Sequence, residues 1–214
     1  MRRNHLLYLS VLVLSSFFFT ACGESEDDAG EFDNWQERNE TYFNNIYNQA
    51  KNGGSGMKVF TQWSLNEEVA TAAEDHIVVK VLESGTGSGC PIYTDSVQIH
   101  YRGRLIPSTS YTEGYVFDQS YSGEYDLQTL KPATFAVNAL IDGFTTALMN
   151  MHIGDHWRVY IPYQLGYGAT SSSSSTIPAY STLVFDIALV AYYHVGTAVP
   201  VWRAKANNSK WIDE

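Results

Sequence analysis

Val97, Ile99 and Tyr101 alternate with Gln98, His100 and Arg102, a period of two that puts the apolar members on one side of an extended strand. The alternation returns at Trp157, Val159 and Ile161, and again at Leu183, Phe185, Ile187 and Leu189. Ahead of these, His76-Ile77-Val78-Val79-Lys80-Val81-Leu82 is a β-branched run closed by Gly85-Thr86-Gly87-Ser88-Gly89, which reads as a strand and then a turn. Short connections between such strands predict an antiparallel sheet with one wet face. Phe144, Ala147, Leu148 and Met151 keep helical spacing after Asp142-Gly143, so one short helix is expected over the sheet's apolar face. The expected fold class is α+β.

Upstream, Trp35, Tyr42, Phe43, Ile46, Tyr47 and Ala50 fall at helical intervals, predicting an amphipathic helix from Phe32 to Lys51 that the Asn52-Gly53-Gly54-Ser55-Gly56 run stops. Packing of this helix on the main domain of a monomer is favoured; dimerisation through it is the alternative. Residues 57–75 are read as a connector, in which Met57 to Trp63 is a candidate short strand.

Charge and composition narrow the picture. The 44 % hydrophobic content supports a packed core, and a net charge of −10 with only 13 basic residues argues against a nucleic-acid partner. At the start, Arg2 and Arg3 precede the apolar run Leu6 to Phe19, too short to span a bilayer, and Phe19-Thr20-Ala21-Cys22 resembles the lipobox of bacterial lipoproteins. Residues 1–21 are thus expected to be a signal peptide, with Cys22 lipidated and the protein held in the cell envelope as an outer-membrane lipoprotein, facing the periplasm or the surface. Residues 22–31 read as an acidic tether, rich in Glu24, Glu26, Asp27, Asp28 and Glu31.

With Cys22 taken by lipid, Cys90 has no intrachain disulfide partner, and its sequence neighbours offer no histidine, so its expected role is structural. No Lys-Ser/Thr follows the Gly85–Gly89 run, which removes a phosphate loop. His152, Asp155 and His156 lack the flanking Glu and helical setting of a zinc-protease pair, and no Gly-x-Ser-x-Gly motif is present. Neither a metal nor a cofactor is expected.

The second half carries a surplus of aromatics at strand and loop positions: Tyr101, Phe117, Phe135, Phe144, Tyr167 and Phe185. They are core residues, or some of them line a concave apolar pocket. The order of segments Val97–Gly103, Val116–Ser120, Leu140–Phe144, Gly166–Ala169, Ile177-Pro178 and Leu183–Ile187 resembles the signature of the FKBP-type peptidyl-prolyl cis/trans isomerases, over residues 76–194. The resemblance implies a half-barrel sheet wrapped on one short helix. It also implies an aromatic pocket in which Tyr101, Phe117, Phe144 and Phe185 surround a proline ring. Ile141 would offer its N–H to the substrate carbonyl, Leu140 its side chain to the rim, Tyr167 and Ile177 closure from the loop side, and Asp118 a polar element near the twisting imide.

Proline-containing polypeptides would be the partners, folding of exported proteins the task, and no cofactor would be needed. Departures from the family pattern are Phe144 where Trp is usual, Ala133 where an aromatic is common, a longer loop from Leu105 to Val116, and serines at 171–175. The alternative is a non-catalytic FKBP-like binding or chaperone module. The resemblance leaves the tail, residues 195–214 with Trp202 and Trp211, without a role.

Overall fold

The computed structural model describes residues 30–54, 56–123, 125–126, 129–170 and 176–201. Residues 1–33 form a unit of their own, of which only the turn from residue 30 onward is described. Cys22, most of the acidic tether, the serines at 171–175, Trp202 and Trp211 lie outside the described residues.

Helix α1 runs Trp35–Lys51, starting three residues later than the apolar spacing predicts. Asn34 adopts a left-handed conformation, φ 51°, which ends the preceding turn and which Asn tolerates better than most residues. At the other end, the N–H of Gly54 donates to the Gln49 carbonyl at 2.9 Å and that of Gly53, φ 73°, to the Ala50 carbonyl at 3.2 Å. These two bonds satisfy carbonyls that the helix itself leaves free.

Seven strands follow among the described residues: β1 Met57–Thr61, β2 His76–Glu83, β3 Ser96–Arg104, β4 Val116–Gln119, β5 Ala133–Ala136, β6 His156–Ile161 and β7 Leu183–Tyr193. The short helix α2, Asp142–Leu148, lies between β5 and β6 in the chain. All pairings are antiparallel in the order β1-β2-β6-β7-β3-β4. Strand β5 shares the outer edge of β3 with β4, taking Ser96–Ile99 while β4 takes Arg102–Arg104. This is the α+β antiparallel sheet expected. Met57–Thr61, the start of the expected connector, is an edge strand: β2 supplies a free edge and α1 a cover, which a five-residue run containing Lys58 does not advertise by itself.

Val79, Val97, Ile99, Trp157, Val159, Ile161 and Ile187 fill one face together with Phe144, Ala147 and Leu148 of α2. The helix approaches so closely that a Cβ on Gly143 would collide with Ile161. The second face is drier than the alternation predicts. Phe43 and Ala50 of α1 cover Val78 and Tyr160, and His100, 1 % exposed, lies beneath Tyr121 and Tyr125 at ring distances of 6.1 and 5.7 Å. Asp186 of β7 accepts there from Arg158 at 2.7 Å and from Arg104 at 2.9 Å.

One buried amide ties α1 to the start of β7. Asn39, fully buried, donates from Nδ2 to the Trp35 carbonyl at 2.7 Å and accepts the Thr182 N–H on Oδ1 at 2.7 Å. Trp35 Nε1 donates to Ser181 Oγ at 2.9 Å, and that hydroxyl donates to the Pro178 carbonyl at 2.7 Å. The expected packing of α1 on its own sheet is thus fixed by polar as well as apolar contacts, because a buried amide stripped of its partners is costly.

Candidate active site

At the N-terminal end of α2 the sheet curls around a cavity of about 210 Å³. Period-two alternation turns Tyr101 of β3 and Phe185 of β7 toward it, and α2 supplies Phe144. The three rings meet edge to face or tilted: Phe144–Phe185 at 5.0 Å, Tyr101–Phe144 at 6.2 Å and Tyr101–Phe185 at 6.4 Å. Such geometry sets the positive rim of one ring against the negative face of another. Phe144 and Phe185 are each only 4 % exposed, so they form the floor.

Phe117 stands behind this floor and outside the lining, edge-on to Phe185 at 5.5 Å. Both rings close over Gly103, where a Cβ would come within 2.5–2.7 Å of them. A glycine in the strand therefore admits the two rings.

The polar element is one hydroxyl–carboxylate pair. Tyr101 Oη donates to Asp118 Oδ2 at 2.8 Å, while Asp118 Oδ1 accepts the Gln119 N–H at 2.8 Å. Burial, then the hydrogen bond it donates to Asp118 and the charge of that carboxylate, push the Tyr101 hydroxyl well above the usual tyrosine range, so it remains a donor. Tyr167 lines the mouth, 54 % exposed, and burial of its hydroxyl end with the nearby Asp118 charge raises it too.

Leu140 and Ile141 form the rim at the start of α2. The Ile141 carbonyl accepts from the N–H groups of Phe144 and Thr145, both at 3.0 Å. Its own N–H has no acceptor among the described residues.

Tyr101, Asp118, Leu140, Ile141, Phe144, Tyr167 and Phe185 therefore converge on one cavity. Ile177 does not line it and is a partly buried residue against the core. Phe135 and Ala139 complete the lining without having been singled out as site residues. The sign of Phe135 was its alternation with Thr134 and Ala136 along β5, which turns its ring to Tyr101 at 5.8 Å. The long loop after β3 lies elsewhere: Leu105 and Ile106 are buried, and Ile106 and Pro107 face α1 across an open groove.

The surroundings of Cys90 in space differ from those in sequence. His152, distant in sequence, brings Nε2 to 3.9 Å from its Sγ, a proximity that only the folding of two loops creates.

The family model for FKBP-type peptidyl-prolyl cis-trans isomerases matches residues 90–190. The chain is 29 % identical over 190 residues to the macrophage infectivity potentiator of Trypanosoma cruzi, covering 89 % of this chain and 85 % of that one. It is 36 % identical over 136 residues to the FKBP-type 22 kDa peptidyl-prolyl cis-trans isomerase of Escherichia coli strain K12, 63 % of this chain and 58 % of that one. Among solved structures, FkpA from Escherichia coli superposes with a TM-score of 0.53 at 28 % identity, covering 75 % of this chain and 62 % of that one.

Proposed function

Because the domain around this cavity belongs to the FKBP-type peptidyl-prolyl cis-trans isomerase family, we propose that the chain isomerises X-Pro bonds of exported proteins during folding, with the aromatic cavity as its site. The observation that supports this most directly is the Tyr101–Asp118 pair on the wall of a cavity with an apolar floor and Ile141 in its lining.

The reaction breaks no covalent bond and has only to cross a rotational barrier of about 18–20 kcal/mol. A planar amide is polar through resonance, and a twisted one has lost part of that charge separation. An aromatic floor made by Phe144 and Phe185 therefore disfavours the planar form relative to the twisted one. In this reading the proline ring rests on that floor, Phe135 and Leu140 border it, and the Ile141 N–H donates to a substrate carbonyl. Tyr101 keeps Asp118 turned toward the imide, Tyr167 closes the mouth, and Phe117 holds Phe185 in place. Phe144 keeps the floor apolar, and turnover is expected with apolar residues before proline.

A protease-free assay of cis-to-trans exchange in an X-Pro peptide tests the proposal. The full chain should accelerate exchange, and Phe117→Ala or Asp118→Ala should slow it several-fold. A rate equal to the uncatalysed exchange would put a non-catalytic binding module in its place.

Envelope anchoring belongs to the same reading. Cys22 would carry the lipid, and Cys22→Ser should move the protein to the soluble fraction; unchanged membrane association would refute the anchor. With α1 committed to its own sheet, the working unit would be a monomer.

A further inference from the structure

Past the C-terminal end of α2, two loops bring three reactive side chains together. Cys90 Sγ lies 3.9 Å from His152 Nε2. The second ring nitrogen of that histidine faces Asp155, with Nδ1 3.6 Å from Oδ2. Asp155 is 5 % exposed and is held by two backbone N–H groups: Gly85 donates to Oδ1 at 2.7 Å, and His152 itself to Oδ2 at 2.6 Å. Thiol, imidazole and carboxylate stand in the order nucleophile, base and orienting group. Cys90 is partly exposed and the His152 side chain is 47 % exposed, so a reagent can approach the sulfur. None of the three lines the aromatic cavity.

We propose that this cluster is a thiol–disulfide exchange site, with Cys90 as nucleophile, His152 as its base, Asp155 as the positioning residue and a disulfide as the ligand. Burial, and then the Asp155 charge, pushes the Cys90 thiol up from its ordinary value. The sulfur is therefore stored as S–H at neutral pH, and it reacts only where a base stands ready. A thiolate of higher pKa is also the stronger nucleophile once formed.

In the step, His152 Nε2 takes the S–H proton as Sγ attacks one sulfur of R–S–S–R. The S–S bond breaks, R–S⁻ leaves with its electron pair, and the imidazolium returns the proton to it. Cys90–SH and R–S–S–R become Cys90–S–S–R and R–SH, with no other oxidant involved.

The test uses the full chain and 5,5′-dithiobis(2-nitrobenzoate) from pH 5 to 10, with the reaction of the Cys90→Ser chain subtracted to remove any contribution of Cys22. In the parent chain exchange at Cys90 should already be fast at neutral pH, where little thiolate is free. His152→Ala should lower it about tenfold or more at pH 7 and leave only the rise of the free thiolate at alkaline pH. Superimposable profiles for the parent chain and His152→Ala, both rising only with the thiolate, would overturn the proposal. Oxidised glutathione and an unfolded protein bearing a disulfide are then supplied separately and Cys90 adducts read by mass spectrometry. An adduct with either identifies the source of the disulfide, and an adduct with neither overturns the assignment.

Discussion

The two ends of α2 are separated by only two helical turns, yet they are suited to opposite chemistries. At the N-terminal end, Phe144, Phe185 and Tyr101 surround a cavity whose single carboxylate, Asp118, is occupied by a tyrosine hydroxyl and a backbone N–H. No thiol or imidazole stands there among the described residues, and a reaction that is only a bond rotation requires none. Beyond the C-terminal end, Cys90, His152 and Asp155 form a polar cluster at the surface, with a thiol, a base and no apolar enclosure. The contrast shows that the helix specifies neither chemistry: the strands and loops that reach each end decide whether a substrate is enclosed or attacked.

Phe144→Ala should break the comparison most severely. The ring is 4 % exposed and packs on Phe185, so its loss should cost about 3–5 kcal/mol in denaturant titration. If the two ends are independent, the folded fraction should still exchange at Cys90 at the parental rate while isomerisation drops by about tenfold or more, equal to about 1.4 kcal/mol of barrier.

Tyr101→Phe is milder and confined to one end. It removes the 2.8 Å bond to Asp118, with an expected loss of about 1 kcal/mol and a several-fold slower isomerisation, and no change in thiol reactivity. A rate unchanged by this substitution would show that the Asp118 carboxylate needs no orientation from Tyr101.

Titration should separate the ends without mutation. Tyr101 is held above its ordinary value by burial first and by Asp118 second, so its stabilising share is fully present below about pH 10 and is lost as pH rises from there toward the folded value. Isomerisation should therefore be level from roughly pH 6 to 9, whereas exchange at Cys90 should rise with pH over the same range. Parallel pH profiles at the two ends would contradict this division.

Cys90→Ser should have the smallest effect. Isomerisation should stay within about twofold of the parent chain, and stability should change by about 0.5 kcal/mol or less, as for surface positions generally.

Much of the aromatic cavity was legible beforehand because its members lie on strands. Alternation alone turns Tyr101 and Phe185 to the same face, and the order of short segments pointed to Asp118, Leu140 and Ile141. Phe135 was visible as an aromatic but not as a wall, since β5 has only four residues and takes its place from pairing with β3. Ile177 shows the converse: its segment was recognisable, but whether its side chain lines the cavity is decided by a loop whose path local periodicity does not specify. His100 looked solvent-facing by alternation and is buried, because Tyr121 and Tyr125 come from beyond β4 to cover it.

By itself the sequence determined the class of fold, the strand faces, the short helix and the family, because period-two and helical hydrophobic patterns and short ordered segments are local properties of the chain. Tertiary structure decided that Met57–Thr61 joins the sheet, that Asn39 binds α1 to Thr182, and that His152 meets Cys90. Those contacts join residues far apart in sequence, and no local pattern records which distant partner will complete a free strand edge, a buried amide or a thiol.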